Sequence, residues 1–127
     1  MIRKKPKIET ILDNIEAEGF ALSQRSMDYG GGSIEILYIQ QLTDRVSLMD
    51  FVIRPLSLYL GQHRNNMNGT KAKTIAQNVL YVDDYQIQSD GEEVQASILD
   101  GKVIILLTDD DEYIVVNLKK VEHRSIS

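Results

Sequence analysis

Residues 33–60, SIEILYIQQLTDRVSLMDFVIRPLSLYL, predict a strand, a tight corner and a helix. In residues 34–39, the first part of this stretch, apolar side chains occur at both even and odd positions. Both faces of the extended segment are therefore apolar. This pattern is typical of a strand inside a sheet that is covered on both sides. We therefore expect residues 34–39 to form a central strand.

The second part of the stretch predicts a helix that packs on the sheet. The Thr43 hydroxyl can cap its start, while Asp44 places negative charge in the first turn. Pro55 has no amide hydrogen and its ring clashes with the preceding turn, so we expect the helix to end near Arg54 or to kink before residues 56–60. Apolar residues recur at spacings of three and four, as an amphipathic helix requires: Val46, Met49, Ile53 and Leu56.

Other segments supply further strands. Residues 20–25 offer a short alternating strand, with Phe20, Leu22 and Gln24 on one face. Residues 103–107 and 113–118 are mostly apolar and rich in β-branched residues. Tyr85 and Ile87 alternate with polar residues, which suits a short strand or an extended entry segment. Residues 74–82 fit a helix or a short strand, and the pattern does not choose between them.

Two more helices are predicted. Residues 7–18 have apolar positions at helical spacing and are followed by Gly19. Ser89 can cap a second helix because Glu92 follows at capping-box spacing, and Gly101 ends it. Residues 61–73 are polar and rich in Asn and Gly, and predict a mobile loop.

These elements predict an α/β fold, with a mixed β-sheet of about four strands flanked by helices in a single compact domain. A chain of 127 residues is long enough for one hydrophobic core. The residues that we expect to be buried in it are Leu37, Ile39, Val52, Ile98, Ile105 and Val115.

Composition excludes several classes of function. The net charge of −5 argues against nucleic-acid binding, and the absence of cysteine removes disulfides and thiolate metal sites. Positive charge is concentrated in residues 1–7, which predict a basic, flexible terminus or a contact with an anionic membrane surface. No apolar run approaches the ~20 residues that a membrane-spanning helix needs.

Three features could carry chemistry, and each has a plainer interpretation. The glycines at 30–32 lead into a strand and so predict a hairpin turn, whereas phosphate-binding loops lead into a helix. The acidic residues 109–112 lack the alternation and the glycine of a calcium loop, which favours a hydrated turn. His63 has no second ligand at metal-binding spacing. We predict no enzyme activity, no metal and no cofactor.

Two groups of motifs resemble one protein family. The first group resembles the soluble N-terminal region of the A subunit of GerA-family spore germination receptors. It consists of Leu37, Tyr38, Ile39 and Leu42, followed by Ile53, Pro55 and Leu56. Gln40 and Gln41 depart from the Asp-Gly that family members often carry there. The second group continues the resemblance in the same order. It consists of residues 98–101 (Ile-Leu-Asp-Gly), a buried strand, an acidic turn and residues 124–126 (Arg-Ser-Ile).

The resemblance implies a soluble sensing or assembly module of a nutrient receptor in the spore inner membrane, on its cytoplasmic face. Such a module would shift the receptor between resting and triggered states through its contacts. The implied partners are the second half of the same N-terminal region and the receptor B and C subunits, with association of A subunits and binding of a small nutrient also open. The alternative is a stand-alone α/β protein-interaction scaffold without a membrane link.

Few residues can be assigned a role at this stage. In the receptor interpretation, the natural chain continues past Ser127 into the second half, and Arg124 and Ser125 contact that half or a partner. Arg25 and Asp28 are weaker candidates, because the family often has an Arg and an Asp in the corresponding segment. No ligand-binding residue is predicted.

Overall fold

The computed structural model describes residues 8–63, 70–108 and 110–120. The predictions for residues 1–7, Asp109 and residues 121–127, which include Arg124 and Ser125, lie outside the described residues, as do residues 64–69 of the predicted loop. The elements, in chain order, are α1 (Ile8–Ala17), β1 (Leu22–Tyr29), β2 (Gly32–Ile39), a 3₁₀ turn (Gln40–Leu42), α2 (Arg45–Leu48), a π-helical turn (Met49–Ile53), α3 (Arg54–His63), α4 (Ala72–Asn78), β3 (Tyr85–Gln88), α5 (Glu93–Leu99), β4 (Val103–Leu107) and β5 (Tyr113–Val116).

The described strands form one sheet in the order β1-β2-β4-β5-β3. The α/β fold class is confirmed, and β3 makes the sheet five-stranded. Every pairing is antiparallel, where the prediction had a mixed sheet. Antiparallel pairing follows from the short connections within β1–β2 and β4–β5, because a parallel pair needs a crossover of a dozen or more residues.

Helices cover both faces of the sheet. Ile34 and Ile36 of β2 pack into a core with α2, α3 and α4, which we call the first layer. Leu37 and Ile39, on the opposite face, pack with α1 and α5, the second layer. The predicted central strand is therefore confirmed, as is the burial of the six residues expected in the core: Leu37, Ile39, Val52, Ile98, Ile105 and Val115.

The β1–β2 hairpin is longer than the predicted strands. β1 begins at Leu22, two residues later than expected, and continues to Tyr29, which pairs with Gly32. Gly31 has a φ of +94° in the connecting turn, a value that glycine adopts without strain. A Cβ added to Gly32 would lie 2.9 Å from the Tyr29 hydroxyl oxygen, so the aromatic side chain occupies the space above this glycine.

Asp44, and not Thr43, caps the helix that follows β2. Its Oδ1 accepts hydrogen bonds from the backbone N–H groups of Val46 at 3.1 Å and Ser47 at 3.3 Å. The buried Thr43 hydroxyl instead donates to the carbonyl oxygen of Ile39 at 2.9 Å. Thr43 also pairs with Lys119 in an isolated antiparallel bridge, so tertiary pairing takes it out of the cap position.

Pro55 does not end the helix, so of the two predicted outcomes the structure has the one in which the helix continues after an irregular turn. The chain makes a π-helical turn before the proline, in which the Arg54 N–H bonds to the carbonyl oxygen of Met49, and α3 continues to His63. A π-helical turn contains one residue more than an α-helical turn. This changes the backbone hydrogen-bond pattern next to Pro55, which has no N–H to donate. Residues 61–63 are therefore helical, and His63 stacks on Tyr59 with ring centroids 4.3 Å apart.

The later helices resolve one ambiguity, correct one prediction and confirm another. Residues 72–78 are helical, which settles the ambiguity of the sequence. α5 begins at Glu93, with Glu92 and not Ser89 at the N-cap position, and the Glu92 N–H donates at 3.0 Å to Asp90 Oδ1. Gly101 ends α5 as expected, with a φ of +88°.

The acidic β4–β5 connection contains a buried carboxylate. Asp110 is 5% exposed, and its Oδ2 accepts a hydrogen bond of 2.6 Å from the backbone N–H of Ala72, the first residue of α4. Its Oδ1 accepts from the Glu112 N–H at 3.0 Å. The hydrated-turn interpretation is therefore wrong for Asp110, which caps a helix distant in the sequence.

Candidate functional site

The two weaker candidates from the sequence lie on opposite faces of β1. Arg25 is on the first-layer side, where its Nη1 lies 3.4 Å from Met49 Sδ. Asp28 follows three residues later and so projects from the second-layer side. The structure does not bring these two residues together. Arg25 packs beside a helix, whereas Asp28 belongs to a polar region of the sheet.

The centre of this polar region is Glu35, on the interior strand β2. Three side chains donate hydrogen bonds to its carboxylate. Ser26 Oγ and Gln24 Nε2 donate to Oε2, the latter at 3.1 Å, and Ser33 Oγ donates to Oε1 at 3.1 Å. Charge-assisted hydrogen bonds of this kind are stronger than neutral ones, so the carboxylate is held in one orientation.

Strand register extends the region to Asp28. Ser26 pairs with Glu35 and Asp28 pairs with Ser33, so these four residues share one face of the sheet with Gln24. We call Gln24, Ser26, Asp28, Ser33 and Glu35 the Glu35 patch. Gln24, Ser26 and Asp28 are exposed, and Ser33 and Glu35 are half-buried.

The patch lies where the helices of the second layer no longer cover the sheet. On the same face of β2, Leu37 and Ile39 are fully buried beneath α1 and α5. Two residues earlier along the strand, Glu35 is accessible and its neighbours are polar. Thr108, which follows β4, anchors this end of the sheet: its Oγ1 accepts from the Ser33 N–H at 2.8 Å and donates to the Ser33 carbonyl oxygen at 3.0 Å.

The chemistry of the patch suits recognition. Its side chains include two carboxylates, two hydroxyls and an amide, and no cation. Among the described residues, no group of three or more His, Asp or Glu side chains could hold a metal ion. The ordered Glu35 carboxylate can accept a hydrogen bond from a basic side chain of another protein segment.

A second polar feature lies near the β3 edge on the same face of the sheet. It is a shallow cavity of about 50 Å³ lined in part by Asp84, Gln86, Lys102 and Asn117. Asn117 Nδ2 donates to Asp84 Oδ2 at 2.9 Å, and Lys102 Nζ lies 3.5 Å from Asp100 Oδ2. Asn117 and Asp84 satisfy each other and Lys102 pairs with a carboxylate outside the cavity, so the cavity is a weaker candidate than the Glu35 patch.

The sequence contains a signal for Glu35 that the strand prediction did not use. Residues 34–39 read as a doubly covered strand, yet Glu35 is a charged residue within that apolar run. A charge in a central strand indicates that the cover of one face stops at that position. The hydrogen-bond donor Ser26 was not predictable in the same way, because β1 was expected to end at residue 25.

No described helix is long and apolar enough to cross a membrane. Comparison with curated proteins and with solved structures found no significant match. A family model described as Bacillus/Clostridium GerA spore germination protein matches residues 8–127. This match spans every described element, from α1 to β5. The chain therefore belongs to the GerA family of spore germination proteins, as its motifs predicted.

Proposed function

We propose that this chain is a sensing and assembly module of a nutrient germinant receptor and that it acts through the Glu35 patch without catalysing a reaction. The observation that carries the proposal is the half-buried, hydrogen-bonded carboxylate of Glu35 on an interior strand. Family membership supports the setting, a germination receptor with partner subunits.

The mechanism is a difference in contacts between receptor states. A basic side chain from a neighbouring receptor segment would pair with Glu35 in one state and separate from it in the other. Because Glu35 is already oriented by three donors, little side-chain entropy is lost when the contact forms. A contact that differs between two states shifts their populations by its differential free energy.

The proposal also assigns the partner, the residues near the junction and the location of the receptor. The neighbouring segment is the second half of the same N-terminal region or a B or C subunit of the receptor. Arg124 and Ser125 contact that neighbour close to the junction. The receptor resides in the spore inner membrane with this module on the cytoplasmic face.

The test removes the charge of Glu35 in a full-length receptor. Glu35→Gln should raise the nutrient concentration that gives half-maximal germination by roughly fivefold or more, the lower range of allosteric coupling. Glu16→Gln is the matched control, because Glu16 is an exposed acid on α1 away from the patch. The melting temperature of the chain should be similar in both variants.

Arg124→Ala in the same receptor tests the junction separately. Impaired germination with an unchanged melting temperature supports a coupling role for Arg124. Normal germination in both Glu35→Gln and Arg124→Ala spores would overturn the proposed function.

A further inference from the structure

The two edge strands of the sheet differ in length. β3 forms one edge and has four residues, whereas β1 forms the other and has eight, each of which pairs with a residue of β2. In the described part of the chain, no strand pairs with the outer side of β1. Short edge strands resist pairing with other chains, while a long edge strand presents a row of unpaired N–H and C=O groups. β1 is therefore the edge to which another strand can add.

The register of the β1–β2 hairpin determines which backbone groups of β1 are unpaired. Tyr29 and Gly32 flank a two-residue turn, and such a flanking pair exchanges both of its hydrogen bonds. Hydrogen-bonded pairs then alternate with pairs whose backbone groups point away from each other. Ser33, which pairs with Asp28, agrees with this alternation, because its carbonyl oxygen accepts from the Thr108 N–H at 3.1 Å on the β4 side. The outward backbone groups of β1 thus belong to four residues: Leu22, Gln24, Ser26 and Asp28.

Three of these four residues also belong to the Glu35 patch. Side chains alternate between the faces of a strand, so the residues with outward backbone groups share the face on which the patch lies. A strand added to β1 would place every second side chain on that face, beside Gln24, Ser26 and Asp28. The backbone edge and the patch can therefore be contacted by one segment at the same time.

The spacing on this face suits a long basic side chain. A residue opposite Ser26 in an added strand would lie two strand spacings, about 10 Å, from Glu35. Only the small serine side chain lies between them, so Lys or Arg can reach over it. A carboxylate has about four acceptor sites, and three donors already bond to Glu35, so one site remains for the incoming cation.

Charge favours a basic segment over a second copy of this chain. Antiparallel pairing of β1 with itself follows a two-fold axis perpendicular to the sheet, which places both patches on the same face. That face would then carry Asp28 and Glu35 from each copy, while Arg25 lies on the opposite face. The helices that cover the rest of the face, α1 and α5, contain no Lys or Arg. Self-pairing thus supplies no cation, whereas a Lys or Arg on a different strand does.

We propose that an extended part of the neighbouring receptor segment, with Lys or Arg opposite Ser26 or Asp28, adds to β1 as a further strand of the sheet. In strand addition, backbone hydrogen bonds provide affinity and alternate side chains provide specificity. The inference rests on the proposed function and specifies the form of its partner. The same segment adds to β1 in one receptor state and leaves it in the other.

Amide hydrogen exchange tests the added strand without any substitution. In the 127-residue chain, the N–H groups of Gln24, Ser26 and Asp28 should exchange faster than those of Arg25 and Met27, which bond to β2. In the assembled full-length receptor, measured with and without nutrient by mass spectrometry at residue resolution, at least one condition should slow the three outward amides about tenfold or more. Outward amides that exchange as fast in both conditions as in the 127-residue chain would overturn the proposal.

A matched pair of substitutions tests whether the backbone contact affects germination. Ser26→Pro and Ser26→Ala both remove the hydroxyl that bonds to Glu35, but only proline removes the outward N–H. Proline is tolerated in an edge strand where its N–H would face outward. Ser26→Pro should therefore raise the nutrient concentration for half-maximal germination about threefold or more above that of Ser26→Ala. Equal responses of the two variants, with similar melting temperatures, would overturn the proposal. If Ser26→Pro lowers the melting temperature, the exchange measurement decides.

The outcomes separate this inference from the proposed function. Impaired germination in Glu35→Gln spores, with unprotected outward amides, would leave the Glu35 contact in place and overturn the added strand. Glu35→Gln should also reduce the protection of the outward amides about threefold or more, and unchanged protection would overturn the pairing of the strand with the patch. Dimers of the 127-residue chain with the same amides protected, detected by analytical ultracentrifugation and NMR, would overturn the basic segment in favour of a second copy.

Discussion

The backbone N–H of Tyr81 donates a hydrogen bond of 2.9 Å to the carbonyl oxygen of Phe51. In an α-helix that carbonyl would accept from residue 55, but Pro55 has no N–H. The segment after α4 thus supplies the donor that the proline lacks. This relationship explains how the helix continues through Pro55 with its backbone satisfied.

Pro55→Ala should loosen the attachment of Tyr81. The new N–H at position 55 competes for the Phe51 carbonyl, so the Tyr81 amide should exchange with solvent about tenfold faster, a change equivalent to about 1.4 kcal/mol in opening free energy. Hydrogen exchange followed by NMR measures this rate. Ser57→Ala, an exposed change on α3, serves as the control. An unchanged Tyr81 rate in Pro55→Ala would show that the two N–H groups do not compete for the Phe51 carbonyl oxygen.

Asp110→Ala should lower the free energy of unfolding by about 2 kcal/mol. The substitution removes a helix cap and leaves the buried N–H of Ala72 without its carboxylate acceptor. Asp111→Ala changes the exposed neighbour in the same turn and should stay within ~0.5 kcal/mol of wild type. Urea denaturation gives both values, and equal losses would mean that Asp110 has no special role.

Gly32→Ala and Gly61→Ala should have opposite effects on stability. At Gly32 the added methyl meets the Tyr29 ring and Thr108 Cβ at 3.1 Å or less, and we expect a loss of about 1–3 kcal/mol. Gly61 lies in α3 with nothing within 4 Å of its Cβ position, so alanine should stabilise the helix by up to ~1 kcal/mol. A neutral result for Gly32→Ala in thermal unfolding would contradict the packing described for the hairpin.

Tyr113 should ionise later than an ordinary tyrosine. Burial, with the negative charges of Asp90 and Glu93, raises the pKa of its hydroxyl to about 12 from 10.0. The folded state therefore keeps this proton longer than the unfolded state, and the stabilisation is fully present below pH 10.0 and is lost as pH rises towards 12.

Absorbance at 295 nm detects tyrosinate and resolves this late ionisation among the six tyrosines of the chain. Tyr113→Phe should remove the late step and reduce the fall in stability above pH 10.0. At neutral pH it should cost about 1 kcal/mol, because the hydroxyl donates to the Asp90 carbonyl oxygen. A titration curve that is unchanged apart from its amplitude would contradict the raised pKa.

The sequence predicted those parts of the fold that depend on local patterns. Apolar residues on both faces of the strand identified β2 and β4, and Gly101 marked the end of α5. The errors fall where a distant partner decides the local structure. Tyr81 supplies the donor beyond Pro55, and Asp110 caps a helix that begins 38 residues earlier. Sequence spacing holds no information about such contacts.

The candidate site, like the fold, was predictable only where the signal is local in the sequence. The charge of Glu35 is visible within an apolar strand, so its exposure can be inferred from the sequence. Two of its three donors, Gln24 and Ser26, depend on the register of the β1–β2 hairpin, which the glycine turn and the Tyr29–Gly32 pair determine. Asp28 was selected by resemblance, and the register gives it neighbours that the resemblance did not specify.

Photo-cross-linking in a full-length receptor tests most directly whether the Glu35 patch contacts another receptor segment. A photoreactive amino acid replaces the exposed Ser26, and in a control receptor it replaces Glu16 on α1. After irradiation, peptide mass spectrometry should identify a cross-link from position 26 to the second half of the N-terminal region or to a partner subunit, and should find less or none from position 16. Receptors that assemble normally and give no cross-link from position 26 would contradict the account.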